Sequence, residues 1–540
     1  IRAKTTWPNY EIVLVDNGSD DESALTRDGE IARNLRALET IEMYYPILRG
    51  VSALKVEQME AELQTSVQKK QAFSREILLL QLREHTYKNV EVNRLQNVVT
   101  YRNLKHQVTK KRNVWAIRKL IAELSEEVFP LVPCWMASPE AVSAVFPLRP
   151  SADDARPEVF DLVIFDEASQ CFAEHGLPAL YRGQQVVVAG DSKQLQPTDL
   201  YRIRLEDSSE DMAELELDSL LDLACHYLPQ TQLQGHYRSH SLDLIDFSNQ
   251  YFYKNSLQLL PHFEEINRLE PAIRYLKTDG VWQHNTNQLE AQQVVDLVQH
   301  LSQQEPGQSI GIVTFNHPQQ QLIQDLLEVQ QFMEASEQSE EPIFVKNIEN
   351  VQGDERDIII FSVGYAPDAK GRMAMQFGSL NLTGGEHRLN VAITRARRRI
   401  YVIASILPAQ LEVEQVTNEG PRLLKKYLDY ALHVSEGHYK PRPKPIEGFR
   451  QGWLLKSKLK PVVSTEKSAE PSAFTFELPF ADVTVKKGSQ YDSLILTDDD
   501  LYYQSLSPKE AHAYLPLNLS AKGWKFRRIW SRNWWKTEQT

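Results

Sequence analysis

FDLVIFDEASQ, residues 160–170, decides how this chain is to be read. Leu162, Val163, Ile164 and Phe165 form an apolar run, the pattern of a buried strand in a parallel sheet. Asp166 and Glu167 then emerge at its carboxyl end, where open α/β sheets place their ligands. A strand ending in two carboxylates suits a nucleotide hydrolase that holds magnesium and positions a water. Such an enzyme also needs a phosphate-cradling loop, GxxxxGKS or GxxxxGKT. No such string occurs among these 540 residues. Taken alone, the acidic pair reads equally well as a helix N-cap.

Composition sets the frame. A chain of 62.1 kDa with 42% hydrophobic and 25% charged residues is globular and long enough for several domains. It contains no apolar run of membrane-spanning length. Cys134, Cys171 and Cys225 lie in apolar surroundings without metal-ligand spacing, which predicts buried thiols in a reducing, cytoplasmic setting. The net charge of −13 argues against a wholly basic nucleic-acid coat but leaves room for a local basic groove.

Along the chain the texture changes several times. From Val51 to Phe129 there is neither glycine nor proline. Leu54, Val56, Met59, Leu63 and Val67 keep a helical stripe, so this stretch predicts two or three long helices in an antiparallel hairpin. Residues 131–204 alternate strands and turns, with VVVAGDSKQLQP as a second buried strand ending at Gly190-Asp191. Helices with acidic linkers follow. SIGIVTF, DIIIFSVGY and RRIYVIAS then alternate strand and helix again. The expected class is α/β: two RecA-like parallel-sheet lobes, a helical arm and a small C-terminal α/β module. The expected segments are an unassigned 1–29, the arm at 30–130, the rest of an incomplete first lobe at 131–204 and a second lobe at 205–415. A proline-bearing linker at 416–450 and a terminal module at 451–540 complete the division.

Four further strings carry polar groups at strand ends. GDSKQL places Gln194 in a turn after the second strand. HYRSH sets Arg238 ahead of a helix. VQGDERD puts Gln352, Gly353 and Glu355 just before a buried strand. VAITRARRRI places Arg395 and Arg397 between an apolar helix and a strand. Each alone has a bland reading, as a solvated arginine or an ordinary turn. Together, in this order over about residues 105–410, they resemble the superfamily 1 helicases, in the branch with the nonsense-mediated-decay RNA helicase and its bacterial relatives.

That resemblance implies roles. Asp166 would bind the water shell of Mg2+ and Glu167 would be the general base. Gln194 would sense the γ-phosphate of ATP, with Arg238 and Arg395 as arginine fingers. Gln352, Gly353, Glu355 and Arg397 would line the nucleotide cleft. TFNHPQ resembles the start of the second lobe, bringing Thr314 and Gln319 towards nucleic acid or nucleotide. LIDFSNQYFY, residues 244–253, matches the helix after the first finger, and its apolar positions read as packing. In the family the phosphate loop precedes a helical insertion, so the missing loop is expected upstream of Ile1.

Single-stranded nucleic acid, DNA in preference to RNA, is the implied partner. KHQVTKKRNVWAIRK interleaves Trp115 with Lys110, Lys111 and Arg112 and contains no acid. A solvated helix face is the alternative. CWMASPEAVSAVF resembles the first-lobe nucleic-acid loop around Ser138 and Pro139. The terminal module, with SLILTDDDLYY and GWKFRRIWSRNWWK, resembles a very-short-patch-repair-like nuclease. Asp492 matches its first acid, and Asp498, Asp499 or Asp500 stand near the second. The spacing is short and no companion lysine is evident, so a degenerate or structural module is the other reading.

Two rival functions remain. One is a non-catalytic nucleic-acid-binding helicase derivative. The other rests on NYEIVLVDNGSDD, residues 9–21, which looks like the opening of a family 2 glycosyltransferase with Asp16 at a nucleotide base. The helical composition after residue 30 favours an arm over that enzyme's sheet.

Overall fold

The computed structural model describes residues 22–46, 50, 52–96, 101–147, 159–197, 219–332, 336, 339–373, 377–413, 416–442, 454–456, 459, 472–531 and 533–534. The segment with Asp16 lies outside the described residues. No described helix is long and apolar enough to cross a membrane. The chain divides into two compact units, one of residues 74–261 and 268–439, the other of residues up to 73, 262–267 and from 440 onward.

The breaker-free stretch is helical, but differs from the expected hairpin of long helices. Ala53–Gln96 is one helix of 44 residues, followed by two short ones, Arg102–Thr109 and Ile117–Val128. The basic run interrupts them, with Asn113 in the left-handed region at φ 54°.

In the larger unit, β1 (Phe160–Phe165) and β2 (Gly183–Val188) pair in parallel. Phe165 packs with Ala168, Ala179, Leu220 and Leu221. The reading of β1 as wholly buried needs correction: Leu162 and Ile164 are 45% and 63% exposed. Side chains alternate across a strand, and among the described residues only the Val163–Phe165 face is covered. The thiols are also more open than expected, with Cys134 and Cys225 exposed and Cys171 half-buried.

A short parallel pair, β3 (Gly235–His236) and β4 (Gln258–Leu259), precedes the main sheet. That sheet is fully parallel, in the order β5-β9-β8-β6-β7. Its strands are β5 (Ile273–Lys277), β6 (Ile310–Thr314), β7 (Phe344–Asn347), β8 (Arg356–Ser362) and β9 (Ala396–Ala404). The central strands β6, β8 and β9 are the three apolar runs read from sequence. One face packs on helices Gln288–Gln304 and His317–Val329, the other on Glu419–Ser435. Burial on both faces explains why these strands lack polar alternation.

The boundary drawn at residue 416 is therefore corrected. Glu419–Ser435 is an amphipathic helix burying Leu424, Tyr427, Leu428, Ala431 and Val434 against the sheet, so it belongs to the second lobe.

The smaller unit holds a four-stranded sheet, β10 (Ser472–Thr475), β11 (Val483–Lys487), β12 (Gln490–Leu496) and β13 (Phe526–Arg528), in that order. The first pairings are antiparallel and the last is parallel. Leu455, Leu459, Val483 and Ile495 form its core, and Trp524 packs edge-on to Phe263 and Phe480.

Candidate functional site

Chain direction places the acids. The end of β1 is zipped to the end of β2 through Ala189, whose N–H reaches Phe165 O at 2.8 Å and whose carbonyl accepts from Ala168 at 2.9 Å. Asp166 and Glu167 occupy the turn between, both exposed. Glu167 sits at φ 52°, ψ 40°, a left-handed conformation uncommon outside glycine, asparagine and aspartate. Its N–H donates to Asp166 Oδ1 at 3.1 Å. Backbone strain of this kind clusters at functional turns.

The loop after β2 is built on Asp191. Its Oδ1 accepts from Lys193 N at 2.9 Å, and its Oδ2 accepts from Gln194 Nε2 at 2.9 Å. This Asx turn aims the Gln194 carboxamide. Gly190 is required by crowding, since a Cβ there would meet Ser169 N at 3.0 Å and Ala168 N at 3.1 Å.

Three contacts then join the first-lobe turns and neighbouring loops to the start of the second-lobe strands. Gln352 Nε2 donates to Glu167 Oε2 at 3.2 Å. Arg395 Nη2 donates to Gln194 Oε1 at 3.3 Å. Arg238 Nε donates to Glu355 Oε2 at 2.6 Å. Gly353 turns at φ 88°, which a side chain would resist even though space there is open. Arg395 is 3% exposed, and its Nε is tied to Val391 O at 2.9 Å. Burial and the nearby Arg238 pull it down to about 10, so it stays charged at neutral pH. Seven residues singled out from separate strings, Asp166, Glu167, Gln194, Arg238, Gln352, Glu355 and Arg395, thus lie within one connected set of turns.

Others are engaged differently. Arg397 Nε pairs with Asp357 at 3.1 Å, its Nη1 with Glu341 at 3.0 Å, and its Nη2 donates to Ser309 at 2.9 Å. That network, led by the Glu341 hydrogen bond, raises its pKa further, and its Nη1 also lies 3.6 Å from Glu355 Oε1, so its guanidinium braces the start of β9 from the edge of the same cluster. Thr314 is fully buried and donates its hydroxyl to Asn316 O at 2.9 Å. Gln319 is fully buried as well, held by Asn287 and Ser362. The expectation that these two side chains approach a ligand is corrected, because Thr314 stands on β6, which is covered on both faces, and Gln319 turns inward from helix His317–Val329.

Ser138 and Pro139 start helix Pro139–Val145, with Ser138 Oγ accepting from Ala141 N at 3.3 Å. Lys111 and Arg112 are exposed. The ammonium groups of Lys119 and Lys110 lie 4.6 and 5.9 Å from the Trp115 ring centre. In the terminal module the acids serve local structure. Asp492 pairs with Lys487 at 2.8 Å, which holds it below the usual carboxylate range. Asp498 accepts from Ser531 N and Oγ. Asp499, 3% exposed, accepts from Leu455 N and Lys456 N. Lys456, paired with Asp500 at 3.1 Å, is a lysine that the sequence pattern did not reveal. Among the described residues no group of three or more His, Cys, Asp or Glu could hold a metal ion.

Four participants near the cleft escape sequence reasoning. Asp191, Tyr253 and Asn390 are bonded to one another, and Tyr237 exposes 77% of its surface beside Arg238. Tyr253 reads with its neighbours as packing; its hydroxyl is the only signal that it differs.

Two parallel-sheet lobes with acids on one side and guanidinium groups on the other define a RecA-like α/β protein. Two AAA-domain family models match, one over residues 148–200 and one over 217–406. An uncharacterized ATP-dependent helicase of Mycoplasma genitalium is 37% identical over 289 residues, covering 50% of this chain and 25% of that protein. Its homolog in Mycoplasma pneumoniae is 34% identical over 337 residues, covering 59% and 29%. The mouse probable helicase senataxin is 26% identical over 265 residues, covering 46% and 10%. The chain therefore spans between a quarter and a third of the length of the Mycoplasma proteins. The part carrying these matches is similar to the AAA domains and to proteins named ATP-dependent helicases.

Proposed function

We propose that the intact protein is a helicase or translocase that couples ATP hydrolysis to movement along single-stranded nucleic acid, DNA in preference to RNA. The observation that carries this reading is the trio of contacts Glu167–Gln352, Gln194–Arg395 and Arg238–Glu355. Each brings together residues from two separately matched strings, and each can be exchanged for a contact to a triphosphate. Glu167 accepts the proton of the attacking water. Gln194 orients that water or the terminal phosphate. Arg238 and Arg395 face the charge that develops on the transferred phosphoryl group, the largest electrostatic contribution in such sites.

The residues present suit a magnesium ion bound with the nucleotide. Two exposed carboxylates at a strand end match a cation that keeps several waters and takes the rest of its ligands from phosphates. Two buried polar atoms nearby, Ser169 Oγ and Gln352 Oε1, have no hydrogen-bond partner among the described residues, as expected of groups awaiting a polar ligand. The ion would supply charge neutralisation between the terminal phosphates, with Asp166 holding its water shell.

Lys110, Lys111 and Arg112, with Trp115, supply phosphate contacts and a stacking surface, and Ser138 and Pro139 a second backbone contact. The test is ATP turnover with and without single-stranded DNA or RNA, on this chain and on the chain extended upstream. Stimulated turnover that Glu167→Gln abolishes while retaining nucleotide is expected. Unchanged turnover in Glu167→Gln would overturn the assignment, and nucleic-acid binding without turnover in the extended chain would favour a non-catalytic derivative.

A further inference from the structure

Gln194 is held at both ends. Its Nε2 donates to Asp191 and its Oε1 accepts from Arg395, so the carboxamide has one orientation. What fixes Asp191 lies in the second lobe. Tyr253 Oη donates to Asp191 Oδ2 at 2.6 Å. Asn390 Nδ2 donates to Tyr253 Oη at 3.1 Å and to Lys193 O at 2.8 Å. Asn390 is 1% exposed and stands on helix Gly385–Ile393. The same helix end holds the finger: Asn390 O accepts from Thr394 Oγ1 at 2.9 Å, and Val391 O accepts from Arg395 Nε at 2.9 Å. The contacts therefore close a ring through Gln194, Asp191, Tyr253, the Asn390–Val391 turn and Arg395.

We propose that Tyr253 is a positioning residue for hydrolysis, locking Asp191 and hence the Gln194 carboxamide to the helix that carries Arg395. This deepens the ATP-hydrolase reading and rests on it. Tyr253 touches neither nucleotide nor metal in this role; it acts through Gln194. Burial and the Asp191 carboxylate raise its pKa, so it remains a neutral donor throughout the working range. Leu195 packs on the second-lobe core as well, so the loop after β2 is gripped from that side by polar and apolar contacts together. A lobe movement that shifted helix Gly385–Ile393 would carry Gln194 with it. Alignment of such a group within a fraction of an ångström affects rate more than binding.

The experiment compares Tyr253→Phe, Gln194→Ala and the double variant of the intact protein in nucleic-acid-stimulated ATP turnover. Tyr253→Phe keeps the ring and is expected to lower kcat by roughly ten- to hundredfold with KM for ATP changed little. In the Gln194→Ala background the same change should alter kcat by less than about twofold, because the route it acts through is gone. A Tyr253→Phe enzyme at the wild-type rate, or two variants whose effects multiply, overturns the proposal. Should Tyr253→Phe fail to fold, Asn390→Ala removes the other side of the ring and is held to the same non-additivity with Gln194→Ala. Glu167→Gln separates the two levels. If it stays active, the hydrolase reading falls and this inference with it. If it is dead while Tyr253→Phe is unimpaired, only this inference falls.

Discussion

Glu290 lies fully buried on helix Gln288–Gln304 and accepts four hydrogen bonds at the carboxyl ends of β8 and β9. Its partners are Gly364 N at 2.6 Å, Ser405 N at 2.8 Å, Ser362 Oγ at 3.1 Å and Asn287 Nδ2 at 3.3 Å. Burial outweighs these donors and lifts the carboxyl from its ordinary 4.5 to about 7. A folded pKa above the unfolded one means that the native state holds the proton more tightly. The resulting stability is fully present below pH 4.5 and is lost as pH rises through 7. The displacement corresponds to about 3 kcal/mol at about 1.4 kcal/mol per pH unit. Glu290→Gln keeps the shape and removes the titration, although Gly364 N then faces an amide. Its stability relative to wild type should therefore rise by about 3 kcal/mol between pH 4.5 and pH 7.5, roughly 6–12 °C in unfolding midpoint for a lobe of this size. Thermal unfolding of both chains across that window measures the difference directly and cancels titrations elsewhere. A difference curve flat in pH would refute the buried-carboxyl account.

Other outcomes follow from the same geometry. Arg395→Ala should lower kcat for ATP on the order of 10³–10⁵-fold, with smaller loss of nucleic-acid affinity, in steady-state turnover and filter binding. Replacing Lys110, Lys111 and Arg112 together by Ala should flatten the salt dependence of single-strand affinity by about two in log–log slope, at roughly 0.7 for each phosphate no longer neutralised. A slope that does not change would assign the basic run to a solvated turn between helices. Asp499→Ala leaves the Leu455 and Lys456 N–H groups without acceptors and should destabilise the terminal module by about 1–3 kcal/mol in denaturant unfolding.

Much of the site was legible because motif residues at strand ends need only chain direction to be placed. Once DEAS follows a strand and GDSKQL follows the next, parallel pairing puts both turns on one edge. The strands β6, β8 and β9 announced themselves as unbroken apolar runs. By contrast β5 and β7 are short and carry Arg274, Lys277 and Lys346, so local pattern did not separate them from linkers. The helix Glu419–Ser435 was hidden by the polar texture around it, although its stripe from Leu424 to Val434 is regular.

Sequence by itself determined the identity and order of the acids, the glutamines and the arginines, because their chemistry belongs to single residue types and short spacings. Tertiary structure alone decided what each of two arginines two positions apart holds. Arg395 precedes β9 and turns to Gln194, whereas Arg397 is shared among Asp357, Glu341 and Glu355, and charge pairing across distant segments leaves no trace in local pattern. It also decided that Thr314 and Gln319 are internal, and that Tyr253 reaches over from the second lobe to Asp191. Burial and partner choice depend on what the rest of the chain brings alongside, and a linear string does not record that.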